Sequence, residues 1–430
     1  MIVQEAGSSL PRVSVNATAP MNPASVMKLL TTYAALELLG PAYVWRTEAY
    51  AGGPVADGVL NGDLYLKGYG DPKLTFEAFW LLLRQLHSRG IREIRGDLVL
   101  DRTHFEPIQH EPGAFDGEPL RPYNVGPDAL LVNYKAVRFV FLPDNGQKTV
   151  AVIAEPQPAQ LDVLNLLKLG DGPCNDWREA VRPDVTLHDT RARIVFTGTY
   201  PAECGEKTWH LGLLDHPQYV HGVFRQLWQE LGGTLGGGMR EATLPEGARL
   251  LASSESPTLA EVVREINKFS NNVMARQLLL TLGAESGKRP ARAQDGERAV
   301  RAWLTQKSLS FPELTLENGS GLSRRERISA ESMARLLHAA YRAPVMPEFV
   351  SSMPIVAVDG TMKKRLNGKP VAGHAHIKGG TLEGVRTMAG YVLDIKGKQQ
   401  IVVLFINHPN APAASAAQDA LLQWVYSRGN

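Results

Sequence analysis

The stretch Arg12-Val13-Ser14-Val15 alternates polar and apolar residues and predicts a strand near the start of the chain. Asn22-Pro23 then sets a capping side chain and a first-turn proline ahead of residues 25–39. That run is rich in Leu, Ala and Met and is closed by Gly40-Pro41, so a helix is predicted over it. From about residue 48 to 250 the texture changes. Short β-like runs at 62–66 and 136–141 are separated by Gly, Pro, Asp and Asn. Two helices are predicted inside this region, at 76–89 before Gly90 and at 219–231 before Gly232, and the Gly236-Gly237-Gly238 cluster reads as a hinge out of it. Beyond residue 250 helices return. Thr258 and Glu261 have capping-box spacing and open a helix running towards Lys268, 271–282 reads as the next, and 329–341 as a third. Strands follow at 374–381, 388–395 and 400–407, with Lys396-Gly397-Lys398 as the turn between the last two, and a helix at 414–426. Helix-rich ends around a β-rich middle predict one domain split by an insertion.

Length and composition agree with that organisation. At 430 residues the chain exceeds one compact core, so two or three domains are expected. With 44% hydrophobic and 21% charged residues, it reads as a globular protein. A formal charge of +2, with no basic stripe interleaved with aromatics, argues against a nucleic-acid partner. No apolar run is long enough to span a bilayer, and no integral membrane segment is expected. Met1-Ile2-Val3-Gln4-Glu5 shows neither the basic nor the apolar part of an export signal. Read literally this means a cytosolic protein; read as a shortened start, it means the signal is missing. The two cysteines, Cys174 and Cys204, are either buried thiols or one disulfide that would contribute about 3–4 kcal/mol in the chain-entropy model.

Three short patterns carry candidate chemistry. In Ser25-Val26-Met27-Lys28 the Ser and Lys lie one helical turn apart on the same face, so the amine can reach the hydroxyl. A solvated Lys with a pKa near ~10.4 would be a poor base, but burial and a neighbouring cation lower it. The start of the helix adds free backbone N–H groups for negative charge. Ser270-Asn271-Asn272 lies at a helix–helix junction, where Ser270 could relay a proton and Asn272 could hold a carbonyl, although ordinary N-capping explains the same residues. Lys378-Gly379-Gly380-Thr381 ends a predicted strand; its glycines would let a substrate backbone approach, and a bulge or turn is the plainer alternative. Each pattern alone is cheap. Their order, Ser-x-x-Lys on an early helix, Ser-x-Asn after the insertion and Lys-x-Gly on a late strand, is that of active-site serine penicillin-binding enzymes.

The resemblance extends to longer segments. Residues 23–36 resemble the nucleophile helix of the D-alanyl-D-alanine carboxypeptidase/endopeptidase family of penicillin-binding protein 4 type, and 62–72 resemble the start of that family's inserted region. Asn318-Gly319-Ser320-Gly321-Leu322-Ser323-Arg324 and 359–366 also match family segments. The resemblance implies an α/β (α+β) multidomain fold: a transpeptidase-like catalytic domain (1–47 and 251–430) split by a β-rich insertion of two smaller domains (48–132 with 216–250, and 133–215). It implies Ser25 as nucleophile, Lys28 as general base, Ser270 as proton relay and Asn272 as the group that binds the acyl-side amide. Lys378 would support Ser270, Gly380 and Thr381 would bind substrate, and the N–H groups of Ser25 and Thr381 would form the oxyanion hole. It further implies peptidoglycan stem peptides as substrate, β-lactams as covalent inhibitors, no cofactor or metal, and a periplasmic location that would favour the Cys174–Cys204 disulfide.

Two positions depart from the family pattern. Its strand motif reads Lys-Thr-Gly-Thr or Lys-Thr-Gly-Ser, whereas Gly379 stands at the first Thr, removing a hydroxyl that helps to bind the substrate carboxylate. One such charge-assisted bond is worth about 1.5–3 kcal/mol, roughly one to two decades in affinity, which tilts the expectation towards endopeptidase action. Asn318 stands where the family often has Asp and is given no catalytic role. Two rivals are weighed: a serine β-lactamase, which the roughly 200-residue insertion opposes, and a non-catalytic wall-binding homologue, which the joint presence of Ser25, Lys28, Ser270, Asn272 and Lys378 opposes. His374-Ala375-His376, at strand spacing with no carboxylate cluster, reads as structural rather than metal-binding.

Overall fold

The computed structural model describes residues 1–107, 110–188 and 190–427. By contacts the chain divides into two units, Met1–Trp45 with Pro257–Asn430, and Arg46–Ser256.

The first unit is built on an antiparallel five-stranded sheet. Its strands are β1 (Ile2–Glu5), β2 (Pro11–Ser14), β3 (Ala375–Leu382), β4 (Val385–Leu393) and β5 (Gln399–Asn407), in the order β3-β4-β5-β1-β2. Its helices are α1 (Met27–Leu39), α2 (Leu259–Phe269), α3 (Asn272–Glu285), α4 (Ala293–Gln306), α5 (Ala330–Tyr341), α6 (Met346–Ser352) and α7 (Ser415–Ser427). β4 is buried on both faces, as a central strand covered on both sides must be. On one face Met388 and Val392 pack with Leu422 and Val425 of α7. On the other, the Tyr391 hydroxyl donates to the Leu337 carbonyl of α5. α1 is buried continuously from Met27 to Leu36, which explains why its sequence carries no polar stripe. The turn between β4 and β5 is held by Asp394, whose Oδ1 accepts from Lys396 N and Lys398 N, with Gly397 at φ +74°.

The Arg46–Ser256 unit is β-rich. Arg249–Glu255, Arg46–Ala51, Leu64–Gly68, Leu98–Asp101 and Met239–Glu241 form one five-stranded mixed sheet, with helices at Phe76–Ser88 and His216–Glu230. Arg249–Glu255 pairs along Arg46–Ala51, so the chain leaves this unit only after Ser256. The second helix starts three residues ahead of expectation because Asp215 caps it, accepting from Gln218 N at 2.8 Å. Strands between 137 and 211 form a three-stranded and a four-stranded sheet around Phe139, Phe141, Trp177, Phe196, Tyr200 and Trp209, and a Cys174–Cys204 disulfide lies beside them. The glycines at 236–238 are not a hinge between the units. Gly238 N donates to Asp97 Oδ1, and a Cβ at Gly237 would lie 2.5 Å from the Gly96 carbonyl, so the close approach of the 96–97 link, where both segments pass from a four-stranded to the five-stranded sheet of this unit, demands them.

Candidate active site

Ser25 does not stand on a regular α-helix. A 3₁₀ turn, Ala24–Val26, precedes α1, and Ala24 is held at φ +46°, a conformation that costs energy for any residue with a Cβ. Asn22 secures this turn more widely than a simple cap would. Its Oδ1 accepts from Ala24 N at 2.8 Å and its Nδ2 donates to the Ser323 carbonyl at 2.8 Å. Its backbone exchanges hydrogen bonds with the Asn407 side chain at the end of β5.

Lys28, one turn on, is fully buried. Its Nζ donates to Ser25 Oγ at 3.1 Å, to Asn272 Oδ1 at 2.6 Å and to the Ser320 carbonyl. Burial holds the ammonium well below the usual lysine range, the Lys378 and Arg276 cations push the same way, and Glu326 opposes them. Three contacts fix the amine; in the neutral form that burial favours, its two N–H bonds serve Asn272 and Ser320 and its lone pair is left for the Ser25 hydroxyl.

Ser270 and Asn272 divide the capping alternative between them and Asn271. α2 ends at Ser270 in the left-handed conformation, φ +59° and ψ +37°. Asn271 caps α3, accepting from Met274 N at 3.2 Å, while Asn272, in the first turn of α3, reaches Lys28. Lys378 on β3 is also fully buried, and its Nζ donates to Ser270 Oγ at 2.9 Å and to the Gly379 carbonyl at 2.8 Å. Burial lowers it to about 7.

β3 is an edge strand. Ile377 N donates outward to the Pro354 carbonyl, so the alternation of an antiparallel ladder turns the Gly379 and Thr381 backbone groups to that same edge, away from β4. A Cβ on Gly380 would lie 2.9 Å from Ser25 N and 2.8 Å from the Pro23 carbonyl, and only glycine lets β3 approach the serine turn so closely. Thr387 on β4 ties the same contact, its hydroxyl donating to Pro23 O at 2.6 Å. Ser25, Ser270, Gly379, Gly380 and Thr381 line one cleft of about 370 Å³. The structure therefore brings all seven predicted residues to one region, with Lys28, Asn272 and Lys378 behind the cleft surface.

Sequence reasoning missed the part played by residues 317–326. Glu326, fully buried, accepts through Oε1 from the N–H groups of Glu317, Asn318 and Gly319 at 2.9–3.1 Å. That bend presents the Ser320 carbonyl to Lys28. Asn318 shapes the bend, accepting from Ser320 N and Oγ. Gly321, at φ +79°, touches the serine turn so tightly that a Cβ would lie 1.9 Å from the Ala24 carbonyl. Gly321→Ala is therefore expected to displace Ser25 and to slow acylation by penicillin about a hundredfold, with the overall circular dichroism unchanged. An unaltered rate would show that the turn does not depend on this contact. The signal available in sequence was the Asn318–Arg324 segment itself, which shows that the loop matters but not which atoms act.

Of the two histidines near β3, His376 Nδ1 lies 3.1 Å from the Val350 carbonyl, and the His374 ring packs against Tyr426 at a 45° tilt with centroids 5.2 Å apart.

The model of the D-Ala-D-Ala carboxypeptidase 3 (S13) family matches residues 1–427. A D-alanyl-D-alanine carboxypeptidase of Actinomadura sp. (strain R39) is 31% identical over 420 residues, covering 93% of this chain and 76% of the relative. The D-alanyl-D-alanine carboxypeptidase DacB of Haemophilus influenzae is 26% identical over 394 residues, 91% of this chain and 81% of the relative. Among solved structures, penicillin binding protein 4 (dacB) from Haemophilus influenzae superposes with a TM-score of 0.82 at 25% identity, covering 99% of this chain and 96% of that one. The resemblance carried by the short motifs thus extends across sequence and fold alike, and the chain belongs to the D-Ala-D-Ala carboxypeptidase 3 (S13) family of serine peptidases.

Proposed function

We propose that this protein cleaves D-Ala-D-Ala-type bonds of peptidoglycan stem peptides through an acyl-enzyme on Ser25, and that β-lactams acylate the same hydroxyl. The observation that carries this reading is the buried Lys28 amine, 3.1 Å from Ser25 Oγ and depressed in basicity, beside a second buried lysine that holds Ser270. Lys28 takes the Ser25 proton as Oγ bonds to the scissile carbonyl carbon. The oxyanion is received by the N–H groups of Ser25 and Thr381, the latter on the open edge of β3. The proton held by Lys28 is returned through Ser270, which takes it up as it gives its own proton to the leaving amine and the C–N bond breaks, and Lys378, bonded to Ser270 Oγ, sustains that relay. Asn272 orients Lys28 and meets the acyl-side amide. Water then hydrolyses the ester. The test is covalent labelling by a fluorescent penicillin with the modified peptide mapped to Ser25; a wild type that takes no label would refute the reading.

Gly379 bears on which peptide is cleaved best. A Cβ there would meet only the Thr387 carbonyl, at 4.0 Å, so the position has room for a side chain that this protein lacks. Gly379→Thr is expected to be accommodated and to lower KM for a D-Ala-D-Ala pentapeptide about tenfold. The wild type is expected to turn over a cross-linked muropeptide faster than that pentapeptide. The reverse order would remove the endopeptidase bias.

A cell-wall substrate supports a location outside the inner membrane, in the periplasm. The Cys174–Cys204 disulfide supports an oxidising compartment, and among the described residues no helix is long and apolar enough to cross a membrane. The Arg46–Ser256 unit reads further as two domains, 48–132 with 216–250 and 133–215; in support, the strands described between 137 and 211 pair only with one another.

A further inference from the structure

The cleft contains a guanidinium that the roles above leave unused. Arg386 lies on β4 directly opposite Thr381 on β3. Opposed residues of an antiparallel pair project to the same face, and Gly379, two residues from Thr381, shares it. Arg386 therefore stands diagonally across the ladder from the position where a hydroxyl is missing. It lines the cleft with Ser25, Gly379, Gly380 and Thr381, is only partly exposed, and makes no side-chain hydrogen bond or ion pair within the described residues.

The other cation lining the cleft and the two lysines behind it are engaged. Arg365 binds Asp419, the Ser415 carbonyl and Gln418 Oε1. Lys378 is held by Ser270 and the Gly379 carbonyl, and Lys28 by its three contacts. Among the described residues no Asp or Glu lines the cleft to neutralise Arg386. A planar, permanently charged fork in a carboxylate-free wall suits a carboxylate, which it can bind bidentately.

We propose that Arg386 is the specificity-determining residue that binds the α-carboxylate of the residue leaving on the amine side of the scissile bond, taking over the anchoring that a hydroxyl at 379 would provide. This rests on the acyl-enzyme reading. It makes the terminal carboxylate an ionic recognition element here, seated over the face of β3 that α7 borders while the scissile carbonyl lies at the strand edge. An arginine also reaches farther than a threonine hydroxyl, so the leaving residue can be larger than alanine and still be anchored.

The test uses two thioesters with one acyl group, R–CO–S–CH2–COO⁻ and its carboxamide R–CO–S–CH2–CONH2. Ser25 Oγ bonds to the same carbonyl carbon in both, the C–S bond breaks, and the thiol departs with the carboxylate or amide, leaving an identical acyl-enzyme. In the full chain, Arg386→Gln is expected to lower the acylation efficiency on the carboxylate about 10- to 100-fold and on the amide less than about twofold, with deacylation unchanged. Arg386→Lys should recover part of the loss, and Gly379→Thr combined with Arg386→Gln should recover part of it through the restored hydroxyl. An equal loss on both thioesters, or slowed deacylation, would mark Arg386 as merely structural and overturn the proposal; so would an unchanged carboxylate rate. A wild type that releases thiol from neither thioester would instead sink the acyl-enzyme reading on which the proposal stands.

Discussion

Ser25→Ala is expected to abolish covalent labelling by a fluorescent penicillin and to lower peptide hydrolysis about ten-thousand-fold. The substitution removes one oxygen from a half-buried side chain whose hydrogen bond is the one from Lys28. The Ala24–Val26 turn is held by Asn22, Gly321 and Thr387 rather than by that hydroxyl, so the fold should persist and the loss should report chemistry alone. Thermal melting within a degree or two of wild type would document this. Labelling that survives the substitution would move the nucleophile elsewhere. The wild type should stop after about one slow equivalent of nitrocefin; many rapid turnovers would instead identify a β-lactamase.

Lys28→Met should follow with a loss of about a thousandfold in acylation, within the usual contribution of a positioned general base. Methionine nearly matches the buried volume, so packing around α1 is retained. Asn272 Oδ1 and the Ser320 carbonyl lose their donor, at about 1–3 kcal/mol for each acceptor left unmet, while a costly buried amine is removed. The decisive readout is pH. Burial and the Lys378 cation lower the Lys28 ammonium, and only its neutral form accepts the Ser25 proton. The efficiency of acylation should therefore rise with pH, about tenfold per unit, until Lys28 has lost its proton. In Lys28→Met that limb should flatten. A variant that keeps the wild-type slope would assign the titration to another group, with Lys378, lowered to about 7, the first to examine.

Much of the site was legible because its parts are local. Ser25 and Lys28 are one helical turn apart, Ser270 and Asn272 flank a single helix start, and Lys378 and Gly380 follow the alternation of one strand. Each pattern states which side chains share a face. The 3₁₀ turn under Ser25 was not legible, because the left-handed Ala24 that creates it is stabilised by Asn407 and Gly321, hundreds of residues away. The hinge read at 236–238 failed for a related reason. A glycine cluster looks the same whether it bends freely or lets another segment come close, and here Gly96 and Asp97 come close.

The order of three motifs around a β-rich insertion pointed to the family and to the proposed reacting groups, because residue type and spacing along one element are written in the chain itself. Tertiary structure decided what those groups are able to do. Lys28 is lowered in basicity, as the proposed base needs to be, because α3, the Ser320 bend and Lys378 enclose it, and burial is a property of neighbours brought from afar. Arg386 is one arginine among many in the sequence. It becomes a candidate anchor only when the pairing of β3 with β4 sets it beside Thr381, on the face where Gly379 leaves room.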